Sequence, residues 1–319
     1  MNLLSSVVAA AACALVAGHA ASQYPSKPVR MIVPFPAGGL ADIVARVVAA
    51  PLSQSFGQPV LVENKAGADG QIAALETRRS PADGHTLFFA TNSALLQVPL
   101  IRKSPPYDPV TDFTPISFAG TFSFFLFVHS SVPVNSFEGM IDYARSNPNK
   151  LSYGSANMTS FLATMQLLTQ TKIEMVHIPY KGEAPAIPDL AAGRVQVMFA
   201  TPTSALPLAK EGKLRVLAAL LPQRSSLLPD VPTMAELGYP QVSVTAWGGF
   251  FGPAKLPNEV TVRLAREFNT ILARSDVREQ VEKHGFVMRG SSPEELADFL
   301  NKQLDVWARS INEAKLARE

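Results

Sequence analysis

"VRMIVPFPAGGLADIVARVV", residues 29–48, holds the reading that decides the fold. Residues 29–35 are apolar and bounded by prolines, the composition of a buried strand. Beyond the glycine pair the spacing becomes helical, with Val44, Val47, Val48 and Leu52 on one face. A strand that feeds a helix through two glycines is a natural anion site. Gly38 and Gly39 have no Cβ to hold a ligand off, and the helix start presents unpaired N–H groups at a positive dipole end. Leu40, Ala41 and Asp42 form that helix start. Asp42 has two readings: a cap for its own helix, or an acceptor for a ligand ammonium or for water beside a carboxylate. The loop is not G-x-G-x-x-G and carries no Lys-Ser/Thr, so neither a dinucleotide fingerprint nor a P-loop is supported. Pro51 predicts a kink or an end to the helix.

Working outward, strands and helices alternate with short connections. Residues 59–67 form a strand and turn, Gln71 to Arg79 a helix, and residues 81–91 a turn and third strand. This is the pattern of a parallel α/β sheet. After the phenylalanine-rich run at 116–131 the cycle restarts and continues to a second aromatic, glycine-containing run at 244–253. From Asn258 onward the tail reads as wholly helical. Its last helix has Ser292 as cap, Pro293 in the first turn and Glu295 reaching back. The stripe Leu296, Phe299, Leu300, Leu304, Trp307 and Ile311 is its buried face. Two extended runs joining two α/β regions predict a hinge with a cleft between lobes. The expected division is a signal peptide at 1–22, lobe 1 at 23–125, lobe 2 at 126–246, and a return to lobe 1 at 247–319. A single larger α/β domain is the competing architecture.

Composition sets the class. The chain has 319 residues, 47% hydrophobic and 17% charged, enough for a sizeable core. A net charge of +2 gives no argument for nucleic acid or an acidic membrane surface. The first 22 residues carry no charged side chain and end in small residues, which reads as a secretory leader cleaved after Ala20, although no Lys or Arg lies near Met1. A buried N-terminal helix and a lipoprotein leader ending at Cys13 are the alternatives. Cys13 is the only cysteine, so the processed chain would have no disulfide, thiolate nucleophile or cysteine metal site. No second run is long and apolar enough to span a bilayer.

A second strand-to-helix junction, "YGSANMTSFLA" at 153–163, is rich in small polar residues. Ser155, Asn157, Thr159 and Ser160 read either as donors to a carboxylate or as turn formers and an N-cap. Asn92 and Ser93 follow the third strand, and Thr201 and Thr203 follow "VMFA". These strand ends should also open on the cleft. Signatures of catalysis are scarce. His85, His129, His177 and His284 are isolated, and no G-x-S-x-G elbow occurs. Lys181 reads as a solvated lysine or a partner for an anion.

The stretches "YPSKPVRMIVPFPAGGLADIVAR", "GQPVLVENKAGADG", "PADGHTL", "YDPVTDFTPIS", "VHIPYKG", "LAAGRVQVMF", "GKLRVLAAL", "LPDVPTMAELGYP" and "AWGGFFGP" occur in this order from about Tyr24 to the C-terminal helix. Together they resemble the substrate-binding proteins of tripartite tricarboxylate transporters, the Bug family. The resemblance implies a periplasmic binding protein of the two-lobed, type II-like α/β class. Each lobe would be a mixed, mostly parallel sheet flanked by helices, and two hinge strands would join them. It implies a small organic acid as ligand, such as a di- or tricarboxylate, with membrane permease subunits as partners; an aromatic carboxylate is the further candidate that the phenylalanine-rich run suggests. It implies no cofactor, no catalysis and no nucleic acid. In the family the loops matching 36–42 and 155–160 close on the ligand carboxylate. This chain departs from the family pattern S-x-G-x-G-T-x-x-H-L. It reads "SANMTSFL", two residues shorter, with Phe161 where histidine is usual, and "FATPTS" lacks an acidic residue often found there. Phenylalanines 118, 122, 124 and 125 read as strand core or as a preference for an apolar acid. A ligand sensor feeding a signalling partner and a carboxylate-processing enzyme are the alternative functions.

Overall fold

The computed structural model describes residues 24–313. The proposed leader, Cys13 included, lies outside the described residues. The chain opens with β1 (Val29–Val33), α1 (Leu40–Phe56), β2 (Val60–Asn64), α2 (Gln71–Arg78), β3 (Thr86–Thr91) and β4 (Phe113–Phe122). It then passes through β5 (Phe125–His129), α4 (Phe137–Ser146), β6 (Ser152–Ser155), α5 (Met158–Thr171), β7 (Val176–Pro179), α6 (Glu183–Ala191), β8 (Val197–Ala200), α7 (Pro202–Lys210) and β9 (Leu214–Ala219). The short helix α3 (Val98–Ile101) lies between β3 and β4. The chain returns through β10 (Ala246–Pro253) to α8 (Asn258–Leu272), α9 (Ser275–Glu282), β11 (Phe286–Met288) and α10 (Pro293–Glu313).

Two sheets result, ordered β11-β4-β10-β3-β1-β2 and β7-β6-β8-β5-β9. The crossings explain why both are mixed. β10 lies between β3 and β4 and runs against both. β5 lies between β8 and β9 and runs against both. Each crossing strand enters its new sheet at the cleft end, where its neighbours finish, so it opposes them. Otherwise β1 to β4 share one direction, as do β6 to β9, and β11 opposes β4. The carboxyl ends of β1, β3, β6 and β8 all lead into the groove between lobes, the usual ligand position of open α/β sheets.

Burial explains the elements. Val44, Ala45, Val48 and Leu52 of α1 are fully buried. Pro51 does not end this helix, which continues to Phe56 and closes at Gly57. The tail is not wholly helical either. Phe286 and Met288 face inward while Val287 is 56% exposed, which makes a three-residue edge strand on β4. Three residues are too few to show a period, and the strand is held by the ring of Phe286 against Phe122 at 4.7 Å. The last helix starts as expected: the Ser292 N–H donates to Glu295 Oε2 at 3.0 Å, and the Glu295 N–H donates to Ser292 Oγ at 3.1 Å. Leu296, Leu300 and Trp307 are buried, with Phe299 and Leu304 packed beside them. The side chain of Ile311 lies outside the described residues. Among the described residues no helix is long and apolar enough to cross a membrane.

Candidate functional site between the lobes

The sharp turn from β1 to α1 places its conformational demand on Gly38, with φ +82°, and leaves Gly39 extended at φ −76°, ψ 163°. Gly39 is the N-cap, yet no side chain caps the helix. Its first N–H groups are therefore unanswered by a cap. Opposite, Asn157 and Ser160 form a capping box at the start of α5: Asn157 Oδ1 accepts from the Ser160 N–H at 2.9 Å, and Ser160 Oγ accepts from the Asn157 N–H at 3.3 Å. Gly182 precedes α6, and Thr201 precedes α7.

These helix starts and the end of β3 surround one cavity, whose empty space with the solvent at its open mouth is about 530 Å³. Of the residues proposed from sequence, Gly39, Leu40, Ala41, Asn92, Ser93, Asn157, Thr159 and Thr201 line it. Gly38, Asp42, Ser155, Ser160 and Thr203 do not. Ser155 Oγ is 2.7 Å from His177 Nε2, and Ser160 serves its own helix start. Thr203 Oγ1 points to the carbonyl of His284 at 3.4 Å. Asp42 is turned into the loop, where it accepts from the Gly38 N–H at 3.0 Å, Arg46 Nε at 2.9 Å and Asn64 Nδ2 at 2.9 Å. Lys181 is exposed and outside the lining; His177 is outside it too, and its ring, packed against Tyr153 and Phe161, is desolvated enough to hold its pKa below the usual imidazole value.

Sequence reasoning missed Phe35, Pro36, Thr91, Gly182, Glu183, Ala184 and Ala246, which also line the cavity. The helix after β7 starts at Glu183. A glycine followed by an acid, at the exit of a strand, was the available signal. The phenylalanines divide: Phe122 and Phe124 line the cavity, whereas Phe125 is core, and Phe118 packs on Trp247 and Phe299.

The lobes meet across the cavity. Asn92 Nδ2 donates to Thr159 Oγ1 at 2.8 Å, and Asn92 Oδ1 accepts from the Trp247 N–H at 3.1 Å. The Met158 N–H donates to Ser93 Oγ at 3.3 Å. All of these groups are buried, so the bonds act where water does not compete.

Burial alone would raise the pKa of Asp42, but hydrogen bonds from Arg46, the Gly38 N–H and Asn64 outweigh it and hold the carboxyl below its ordinary value. A folded value below the unfolded one gives stability that is complete above the unfolded pKa of about 3.9 and lost as pH falls through the folded value. Asp42→Asn should therefore destabilise the protein at neutral pH by about 1–3 kcal/mol, the scale of charge-assisted hydrogen bonds. It should also flatten the acid limb of a stability–pH profile from denaturant melts. Because Asp42 faces the loop, ligand affinity should fall less than about tenfold.

Comparison with known proteins fits this geometry. The sequence profile described as tripartite tricarboxylate transporter family receptor matches residues 44–316. The protein BugT of Bordetella pertussis is 35% identical over 308 residues, covering 95% of this chain and 94% of its own. The structure of the periplasmic binding protein BugD superposes with a TM-score of 0.88 at 31% identity, covering 93% of this chain and 100% of that one. Rpa4515 of R. palustris, solved with adipate, superposes with a TM-score of 0.88 at 32% identity, covering 92% and 99%. With the two-lobed fold, the cavity at its strand ends and a profile match over most of its length, this chain belongs to the tripartite tricarboxylate transporter receptor family.

Proposed function

We propose that the protein is an extracytoplasmic solute-binding receptor that captures a small organic carboxylate between its lobes and delivers it to a tripartite tricarboxylate-type permease. It carries its ligand and does not transform it. One observation supports this most: the N-termini of α1, α5, α6 and α7 converge on a single, mainly apolar chamber that also contains Asn92, Ser93 and Thr159. The uncapped N–H groups of α1 and the dipoles of these helices suit an anion there. Among the described residues the lining holds no histidine, cysteine, lysine or arginine and a single carboxyl group, Glu183, so the chamber offers donors for holding a carboxylate without the paired acid–base groups that would attack it. The adipate in the R. palustris relative favours the same ligand class. The proposed lobes follow 23–125 with 247–319, and 126–246. Residues 1–22 are proposed to direct export and to be removed.

The interlobe bonds from Asn92 and Ser93 represent a closed state whose population the ligand raises through its differential affinity. The test uses protein released from the cell envelope. Its N-terminal sequence should begin near Ala21, and small-angle scattering should show a smaller radius of gyration at saturating carboxylate. A cytoplasmic pool retaining Met1, or calorimetric titrations flat across mono-, di- and tricarboxylates and aromatic acids, would overturn the proposal.

A further inference from the structure

Among the described residues, Glu183 is the only ionisable side chain in the cavity lining. It enters from the second lobe, at the first position of α6. Its Oε1 accepts from the Thr201 N–H at 2.9 Å and its Oε2 from the Thr201 hydroxyl at 2.5 Å. No other described residue contributes a hydrogen bond or charge to it. A carboxylate has about four acceptor sites, so two donors from one residue leave it half satisfied. Phe35, Pro36, Phe122 and Phe124 make the surrounding wall apolar.

This arrangement is awkward for a ligand with carboxylates at both ends. A second negative group beside Glu183 would add repulsion to the cost of desolvating both. A cationic group would instead complete the pairing of a charge that the protein leaves without a counter-ion. Another part of the lining has the reverse character. The α1 start at Gly39–Ala41, with Asn92, Ser93 and Thr159, offers polar and partly positive groups and no acid. The start of α6 and the two Thr201 donors favour the ionised form of Glu183, which would accept from a ligand.

Building on the proposed carboxylate capture, we infer that Glu183 sets specificity for a zwitterionic ligand with an apolar body, whose carboxylate meets the Gly39–Ala41 turn and whose ammonium meets Glu183. Burial pushes the carboxyl of Glu183 above its ordinary pKa, so an empty site favours the neutral acid more than an exposed glutamate does. Arrival of an ammonium reverses that preference. The competing possibility is a neutral Glu183 that donates its proton to a second ligand carboxylate.

Calorimetric titration of the purified protein separates the two. The probes are matched sets: straight-chain ω-amino acids, n-alkanoates, α,ω-dicarboxylates and n-alkylamines of equal length, and 4-(aminomethyl)benzoate with 4-methylbenzoate and terephthalate. Within the best-binding set, the amino acid should bind roughly tenfold or more tighter than the simple acid, at the lower end of what a desolvated charge pair contributes. The dicarboxylate should be weakest. E183Q, with its fold checked by circular dichroism and melting, should bring amino acid and simple acid to similar affinity. Should E183Q fail to fold, the wild-type order decides alone. A dicarboxylate as the tightest member, or an ammonium preference that survives E183Q, overturns this inference and leaves carboxylate capture standing. Alkylamines binding better than any acid, or no probe binding at all, overturns both.

Discussion

Gly182→Val is expected to lower ligand affinity by about a hundredfold or more, the consequence of overpacking a tight contact and straining its backbone together. Gly182 has φ +118° and ψ 170°, a region almost exclusive to glycine. A Cβ built there sits 2.7 Å from Pro36 Cδ and 3.1 Å from Pro36 Cγ. Pro36 follows β1 in the first lobe, while Gly182 follows β7 in the second. The glycine is thus a point at which the closed lobes press together. The backbone strain acts in every state of the second lobe, but the clash acts only when the lobes are shut. Denaturant melts of the unliganded variant should show the first part, a loss of about 1–3 kcal/mol. Calorimetry and scattering should show the second, as weakened binding without ligand-induced compaction. Unchanged affinity would mean that the ligand-bound state does not bring Pro36 against Gly182.

Legibility followed distance along the chain. The glycine pair at 38–39, the Asn157 region and the end of β3 were readable because each announces a strand becoming a helix within a few residues. The hinge was readable because its strands, β5 and β10, are buried on both faces and so leave continuous aromatic runs in place of alternation. What a polar side chain does at such a junction was not readable in the same way. Asp42, Ser155 and Ser160 have the composition of ligand donors, but each finds a partner nearby: the loop N–H of Gly38, the ring of His177, the N–H of Asn157. Local competition of this kind is what keeps Ser, Asn and Asp at helix starts. Glu183 shows the converse. Its partner is Thr201, on a different strand exit, and only the parallel pairing of β6 with both β7 and β8 makes the two exits neighbours. The strand β11 was hidden by its length, since three residues carry no period.

Gly39→Val is expected to abolish detectable binding, a loss of about a hundredfold or more, while leaving the fold nearly intact. The left-handed conformation at this turn belongs to Gly38; Gly39 has an extended backbone that valine adopts readily. A Cβ at Gly39 meets only the carbonyl oxygen of Pro36, at 3.6 Å, which is ordinary contact. Exchanging glycine for valine at a helix N-cap costs no more than about 1 kcal/mol. The site itself is a different matter. Gly39 lines the cavity at the start of α1, where no side chain caps the helix. A branched side chain there occupies the approach to those N–H groups and cannot replace the hydrogen bonds the ligand would have made. Calorimetry should therefore separate Gly39→Val, which folds and does not bind, from Asp42→Asn, which is less stable and still binds. The opposite ordering would show that the turn matters through Asp42 and its loop bonds. Wild-type affinity in Gly39→Val would move the anion away from α1, toward the start of α5 at Asn157 and Thr159 on the facing lobe.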